Sequence, residues 1–494
     1  MLRVPRPTLA VASSVLVVLL PWCATGQIQQ AWVAHYNNGM TNGTNEAVKM
    51  ALDPNGNIYV TGFSQNTNSN LGYVTIKYAP NGTQVWAARY DSTNSPTATP
   101  TGLVLDNSNN VIVTGSALTV KYGTNGNEVW TAAYAGTSVA ADTNLNVYVV
   151  GFSTDFATAK ISAAGSNVWQ TSYPSSLRPN VSQVVAVDSE GNVDVAGSET
   201  YYCNQYSCSQ EMLLVQYSSN GNQNWSEVTL AGAIPAVQVA GMALDNAANI
   251  YVLANAYFGP YSTLKYTPSG DEMWGAYNPT GDLFSLGRAL ALDGANNTLV
   301  IGQNANYYPN IQYGTYELNT NGAYRWTNLY PTSPTGTNVG VGIAVDQLNS
   351  VYVTGLSPGT NSGNDIVTIK YDQNGNQIWL QRYSSPGNGN AAGNAIAVDN
   401  NGNVYVTGYD TTAAGGTEIV TIKYSPVTLE RRPDGTVILQ AQGSPGESFD
   451  IEASADLLNW LDLGLATADT NGLMQFDDTN APNYPARFYY TTPQ

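Results

Sequence analysis

An all-β chain built from one repeated four-stranded sheet is the prediction, and three observations carry it. An Asp that ends an apolar stretch recurs eight times, at Asp53, Asp106, Asp142, Asp188, Asp245, Asp293, Asp346 and Asp399. Tryptophans recur at the same interval, at Trp86, Trp130, Trp169, Trp225, Trp274, Trp326 and Trp379, each four residues after a glycine. Only 11% of the 494 residues are charged while 43% are hydrophobic, against roughly 25% charged in an average soluble domain. Asn, Thr, Ser, Gly and Tyr fill the surface instead, as suits a turn-rich exported protein. The formal net charge of −18 repels phosphate backbones and anionic lipid, so neither nucleic acid nor a membrane surface is an expected partner. A single histidine, His35, excludes a multi-histidine metal site.

Taken in chain order, residues 1–26 read as a secretory leader. Arg3 and Arg6 precede an apolar stretch from Leu9 to Leu20, and Ala24-Thr25-Gly26 offers small residues for a cut before Gln27. The stretch is shorter than the ~20 residues a spanning helix needs, so no membrane span is expected after leader removal. Cys23 leaves with the leader, and Cys203 and Cys208 remain as an even pair suited to a local disulfide in an oxidising compartment. The expected location is secreted, extracellular or at the cell surface, with the periplasm as the alternative.

From residue 27 to 427 the repeat text dominates. VKMALDPNGNIYVTG, then YVTIKYAPNGTQVWAARY, returns as GIAVDQLNSVYVTG and IVTIKYDQNGNQIWLQRY, and again as NAIAVDNNGNVYVTG. Each copy is about 49 residues long, a propeller-blade length, and holds four strands. The first is apolar nearly throughout, as a strand buried on both sides should be. The second and third are rich in β-branched and aromatic residues, and the Trp-bearing fourth alternates. Asn-Gly pairs supply the tight connections. The last copy stops at Tyr424 without a Trp strand, and Trp32 in AWVAHY heads a strand without a copy. The N-terminal strand therefore completes the last blade. The predicted fold is an eight-bladed β-propeller so closed, with each Trp packed between blades.

These phrases, DxxGNxYVTG, TIKY and GNxxW, resemble the bacterial secreted β-propeller repeat family, usually called seven-bladed. The blade count is thus open between eight and seven. The resemblance implies the fold and an extracellular location, and it transfers no catalytic residue. The Gly-x-x-x-Trp spacing is also similar to the docking repeat of eight-bladed quinoproteins. That type implies adjacent cysteines, which Cys203 and Cys208 are not, so no cofactor is expected. Calcium is considered only at the Asp53–Asn57 and Asp399–Asn403 turns, which lack an EF-hand's terminal acid, and at Asp450, Glu452, Asp477 and Asp478. Residues 428–494 resemble a small C-terminal β-sandwich module of secreted bacterial proteins, with Trp460 expected in its core.

Function is expected on the face that carries the second-to-third and blade-to-blade connections, because those vary while the opposite turns repeat. There, three successive segments concentrate Tyr201, Tyr202, Tyr206, Tyr257, Phe258, Tyr307 and Tyr308, read as loops. Aromatic rings with neighbouring amides suit glycans or a protein partner. Asp155, Glu199, Glu211, Asp271, Glu272, Asp282, Asp365, Asp410 and Glu418 are acids in or beside loops, Arg288 is a candidate anion ligand, and no pair stands out. His35 is placed at the rim of its strand. The expectation is a non-catalytic binding protein for glycans or cell-surface proteins. The alternatives are a propeller-type glycosidase or lyase and a purely structural or adhesion scaffold.

Overall fold

The computed structural model describes residues 15–18 and 28–493, apart from 41, 94, 152, 154, 175–179, 204–207, 235–236, 257–258, 281–284, 308–309, 331–335 and 360–362. At 15–18, 201–203, 208, 230–234, 305–307, 310 and 493 it describes backbone alone. Eight four-stranded antiparallel sheets follow one another along the chain. Blade one is Asn45–Leu52, Ile58–Gln65, Leu71–Tyr78 and Gln84–Tyr90, and blade seven is Val339–Val345, Val351–Pro358, Asn364–Tyr371 and Gln377–Tyr383. In the eighth sheet the order is Ile28–Tyr36, Thr417–Pro426, Val404–Thr411, Ala391–Val398, so its outer strand comes from the N-terminus. The count is eight. First strands of successive blades pack side by side, and that of blade eight lies beside that of blade one. There Asn394 Nδ2 donates to Ala47 O at 2.8 Å and to Glu46 Oε1 at 2.9 Å.

The repeated text has a physical cause in each turn. In the first-to-second turn of blade one, Asp53 Oδ1 accepts from the backbone N–H of Asn55 and Asn57, both at 2.9 Å, and Oδ2 accepts from Asn57 Nδ2 at 2.7 Å. Asp142, Asp188, Asp245 and Asp293 repeat the arrangement. These carboxylates are turn caps. The Tyr of YVTG lies directly opposite the Lys of TIKY, which places the Lys77 ammonium 4.9 Å from the Tyr59 ring centre and repeats that contact at Tyr148, Tyr251, Tyr352 and Tyr405.

The glycines preceding the tryptophans serve the neighbouring blade. A Cβ on Gly126, Gly165, Gly221, Gly270, Gly322 or Gly375 would fall within 2.6–2.8 Å of the ring of Trp86, Trp130, Trp169, Trp225, Trp274 or Trp326 respectively, each one blade earlier. The indole Nε1 of Trp86, Trp130, Trp169, Trp225 and Trp274 then donates to a carbonyl in that same turn at 2.8–3.1 Å. All these glycines have positive φ, but so do Leu145 and Ala248 in first-to-second turns. Left-handed backbone alone therefore tolerates a side chain here. The approach of the indole does not.

Two expectations about burial are corrected. The first strands are largely half-exposed, as in Ser138–Ala141 and Leu286–Leu292, while the second and third strands hold the core. The first strand is paired on one edge only, so its residues are covered less completely. Trp460 is half-buried against Tyr490, with ring centres 5.8 Å apart, and lies outside the C-terminal core. That core joins Leu439, Ala441, Phe449, Ile451, Met474 and Tyr489 between a three-stranded sheet, Thr428–Arg431, Val437–Gln442 and Leu473–Asp478, and a four-stranded one. The four-stranded sheet runs Val15–Val18, Phe488–Pro493, Ser448–Ser454, Leu461–Thr467, so backbone from within the leader-like segment lies along its edge. Asp478 is spent on Arg487 Nε at 2.7 Å and Tyr489 OH at 2.8 Å, and Asp477 on Arg432.

Candidate functional site

The second-to-third connections differ sharply between blades. In blade three the strands are Val147–Val150 and Ala157–Ile161; in blade four they are Val193–Cys203 and Cys208–Tyr217. Blade six extends likewise, through Thr298–Tyr307 and Asn310–Leu318. Two of the three aromatic segments read as loops are thus largely long hairpins. Their Tyr and Thr content favours extended backbone, and register continues to Cys203 opposite Cys208 and Tyr307 opposite Asn310. Tyr201, Tyr202 and Tyr307 lie in these strands as backbone; Tyr206, Tyr257, Phe258 and Tyr308 lie outside the described residues. Directly opposed strand residues have Cα atoms about 4.5–5.5 Å apart, a spacing that a disulfide spans.

Among the acids, the structure separates what the sequence left level. Glu199 and Glu211 are in strand and directly opposite each other in blade four, so their side chains share a face with Cβ atoms roughly 4.5–5.5 Å apart. Burial and the Glu199 charge push the Glu211 carboxyl up from its ordinary value. Asp271 instead lies in the third-to-fourth turn of blade five, on the opposite face, where it accepts from Ser269 Oγ at 2.8 Å, and Glu272 opens the fourth strand beside it. Asp282 lies outside the described residues. Arg288 is in the first strand of blade six, donating to Gln303 Oε1 at 3.2 Å.

Asp410, Glu418 and His35 meet. His35 Nδ1 is 3.1 Å from Glu418 Oε1 and 3.7 Å from Asp410 Oδ2, at the variable-face ends of three adjacent strands of blade eight. Tyr383 OH, from the last strand of blade seven, donates to Asp410 Oδ2 at 2.6 Å, and Asn37 Nδ2 donates to Glu418 Oε2 at 3.3 Å. Asp410 is 0% exposed, and among the described residues its Oδ1 has no hydrogen-bond partner. Burial raises its carboxyl pKa, against the opposing pull of Tyr383 and His35. Sequence reading missed this group because its members are scattered from residue 35 to 418. The available signal was W-x-x-H-Y at Trp32–Tyr36 in place of W-x-x-R-Y at Trp86–Tyr90 and Trp379–Tyr383.

The fold and its turn chemistry define a protein of the multi-blade β-propeller class. Residues 378–409, from the last strand of blade seven into blade eight, match the family model of the SBBP beta-propeller repeat. Solved structures similar to the chain include a protein of unknown function from Dyadobacter fermentans, at 10% identity, 81% coverage of this chain, 99% of that one and a TM-score of 0.42. The Neurospora crassa Pan2 WD40 domain aligns at 10% identity over 80% of this chain and 94% of its own, with a TM-score of 0.41. No curated protein matches the chain. Among the described residues, no helix is long and apolar enough to cross a membrane.

Proposed function

We propose that the chain is an exported, non-catalytic binding protein that takes glycans or cell-surface proteins on the variable face of blades four to six. The observation that supports this reading most is the extension of the second-to-third hairpins in blades four and six, at the positions where the sequence concentrates tyrosine. Tyrosine gives a flat apolar ring with a hydroxyl at its end, matching the CH patches and hydroxyls of sugars. The leader-like N-terminus and the Cys203–Cys208 pairing register suit a protein that meets its ligand outside the cytoplasm. Affinity electrophoresis through gels containing neutral or acidic polysaccharide tests the glycan arm. Retardation is expected, and it should disappear when Tyr201, Tyr202, Tyr257 and Tyr307 are changed to Ala. Equal retardation of that variant contradicts the assignment, and absence of retardation leaves the protein-partner arm in its place.

A second reading rests on the in-register Glu199–Glu211 pair. Retaining glycosidases hold their two carboxyls about 5–5.5 Å apart, a separation open to side chains on directly opposed strand residues, and the acid with the raised pKa protonates the leaving oxygen. Glu211 would hold that proton and Glu199 would attack. Under this reading new reducing ends form in the same gels, and Glu211→Gln removes them while leaving retardation intact. Product release that survives Glu211→Gln counts against the pair.

A further inference from the structure

Three blades carry the same station at the variable-face end of their fourth strand, and they fill it differently. In blade seven, Arg382 donates to Asp365 Oδ2 at 2.8 Å, to Ser357 Oγ at 2.7 Å and to Tyr330 OH, from the preceding blade, at 3.1 Å. In blade one, Arg89 holds Asp91 through Nε and Nη2 at 2.7–3.0 Å and donates to Ser64 O at 2.7 Å. Gly72 stands at the position of Asp365 there, and a Cβ on it would lie 2.5 Å from Asp91 Oδ1, so Asp91 supplies the carboxylate instead. Each of these stations holds one guanidinium and one carboxylate.

In blade eight, by the repeat alignment, His35 replaces Arg382, Asp410 replaces Ser357, Glu418 replaces Asp365 and Tyr383 replaces Tyr330. The guanidinium is gone and a second carboxylate has been added. One imidazole contributes at most one positive charge to two carboxylates, and the fully buried one, Asp410, receives the Tyr383 hydroxyl on Oδ2 and, among the described residues, no hydrogen bond on Oδ1. His35 Nδ1 is 3.7 Å from Asp410 Oδ2, the oxygen that accepts from Tyr383, and so beyond hydrogen-bond reach of it. A buried carboxylate so poorly compensated is costly unless a cation joins it.

We propose that the blade-eight station is a divalent-cation site that takes Zn2+ on His35, Asp410 and Glu418. One ligand atom from each residue lies within 4.8 Å of the others. The 3.1 and 3.7 Å separations bracket the edge of a tetrahedron with bonds of about 2.0–2.1 Å, which is about 3.4 Å. One imidazole and two carboxylates form a mixed N/O set suited to a borderline cation. Tyr383 is the outer-shell donor that orients Asp410, and Asn37 plays that part for Glu418. Three protein ligands leave the fourth position to water or to an oxygen of a molecule bound on the variable face.

The test is titration of the untagged protein with Zn2+ by calorimetry, followed in parallel through the imidazole NMR signals of its lone histidine. One equivalent is expected, with a shift of the His35 signals that saturates at the same ratio. Tyr383→Phe should weaken binding 10- to 100-fold, and Glu418→Gln by at least tenfold. His35→Arg, which restores the guanidinium of blade seven, should abolish binding without lowering the melting temperature. Binding that survives both His35→Arg and Glu418→Gln overturns the proposal and assigns the ion to other groups. No saturable binding by the unaltered protein also overturns it, and makes Asp410 a buried acid that keeps its proton.

Discussion

Replacing Asp194 by Asn is expected to stabilise the protein at pH 8 by on the order of 4 kcal/mol and to change little at pH 4. Asp194 stands on the second strand of blade four where five other blades have the Tyr of YVTG, and Gln216 stands opposite it where those blades have the Lys. Its carboxyl is fully buried, with Gln216 Nε2 donating to Oδ1 at 2.9 Å and, among the described residues, no partner for Oδ2. Burial, with the Asp188 charge adding to it, pushes its pKa up to about 7 from 3.8. Between those values the folded state holds a proton that the unfolded state has lost. Stability therefore falls as pH rises through that window, and the full penalty is present above pH 7. Thermal melts of both proteins from pH 4 to 8 should give a gap that opens with pH. A constant gap would mean that Asp194 ionises normally in the fold.

The second large effect is at the blade two–blade three seam. Trp130 is buried against Ile112 of its own blade and Val147, Val149 and Ile161 of the next. Gly165, at φ +87°, leaves the space the indole occupies: a Cβ there would sit 2.6 Å from Trp130 Cγ. Trp130→Ala should cost about 3–5 kcal/mol. Gly165→Ala should cost about 2–4 kcal/mol, combining left-handed backbone strain with overpacking. In the Trp130→Ala background the clash with the ring disappears while the one with Cβ of residue 130, 2.8 Å away, stays, so the Gly165→Ala cost falls toward the backbone cost of about 1–2 kcal/mol without reaching it. Denaturant midpoints of the four proteins measure the difference. Strict additivity would separate the glycine from the tryptophan and contradict the packing account.

The repeat was legible because most of its eight copies reuse residues that each do one local task. The Asp caps a turn, the Gly admits an indole, and the Tyr and Lys stack across two strands. What the sequence concealed was non-local or concerned degree. Whether Glu199 meets Glu211 depends on the register of a hairpin longer than its neighbours, and in the sequence the length variation of the Tyr-rich text between them marks a loop, not a strand. Half-exposure of the first strands could not be read from an apolar string, since burial there depends on what lies beyond an unpaired edge. Exchanges inside the repeat were the overlooked signal. Asp194 for Tyr, His35 for Arg and Asp410 for Ser each break the local pattern, and each leaves a group whose charge or hydrogen bonding the fold compensates poorly.

The proposed function divides the propeller into one face that is scaffold and one that recognises. Hydrogen–deuterium exchange of the full chain, with and without a polysaccharide that retards it, reads both faces at once. Protection confined to peptides spanning residues 199–211, 255–262 and 303–312 is the predicted result. Protection that falls instead on the repeated turns, such as residues 53–57 and 79–83, would contradict it and place recognition on the invariant face.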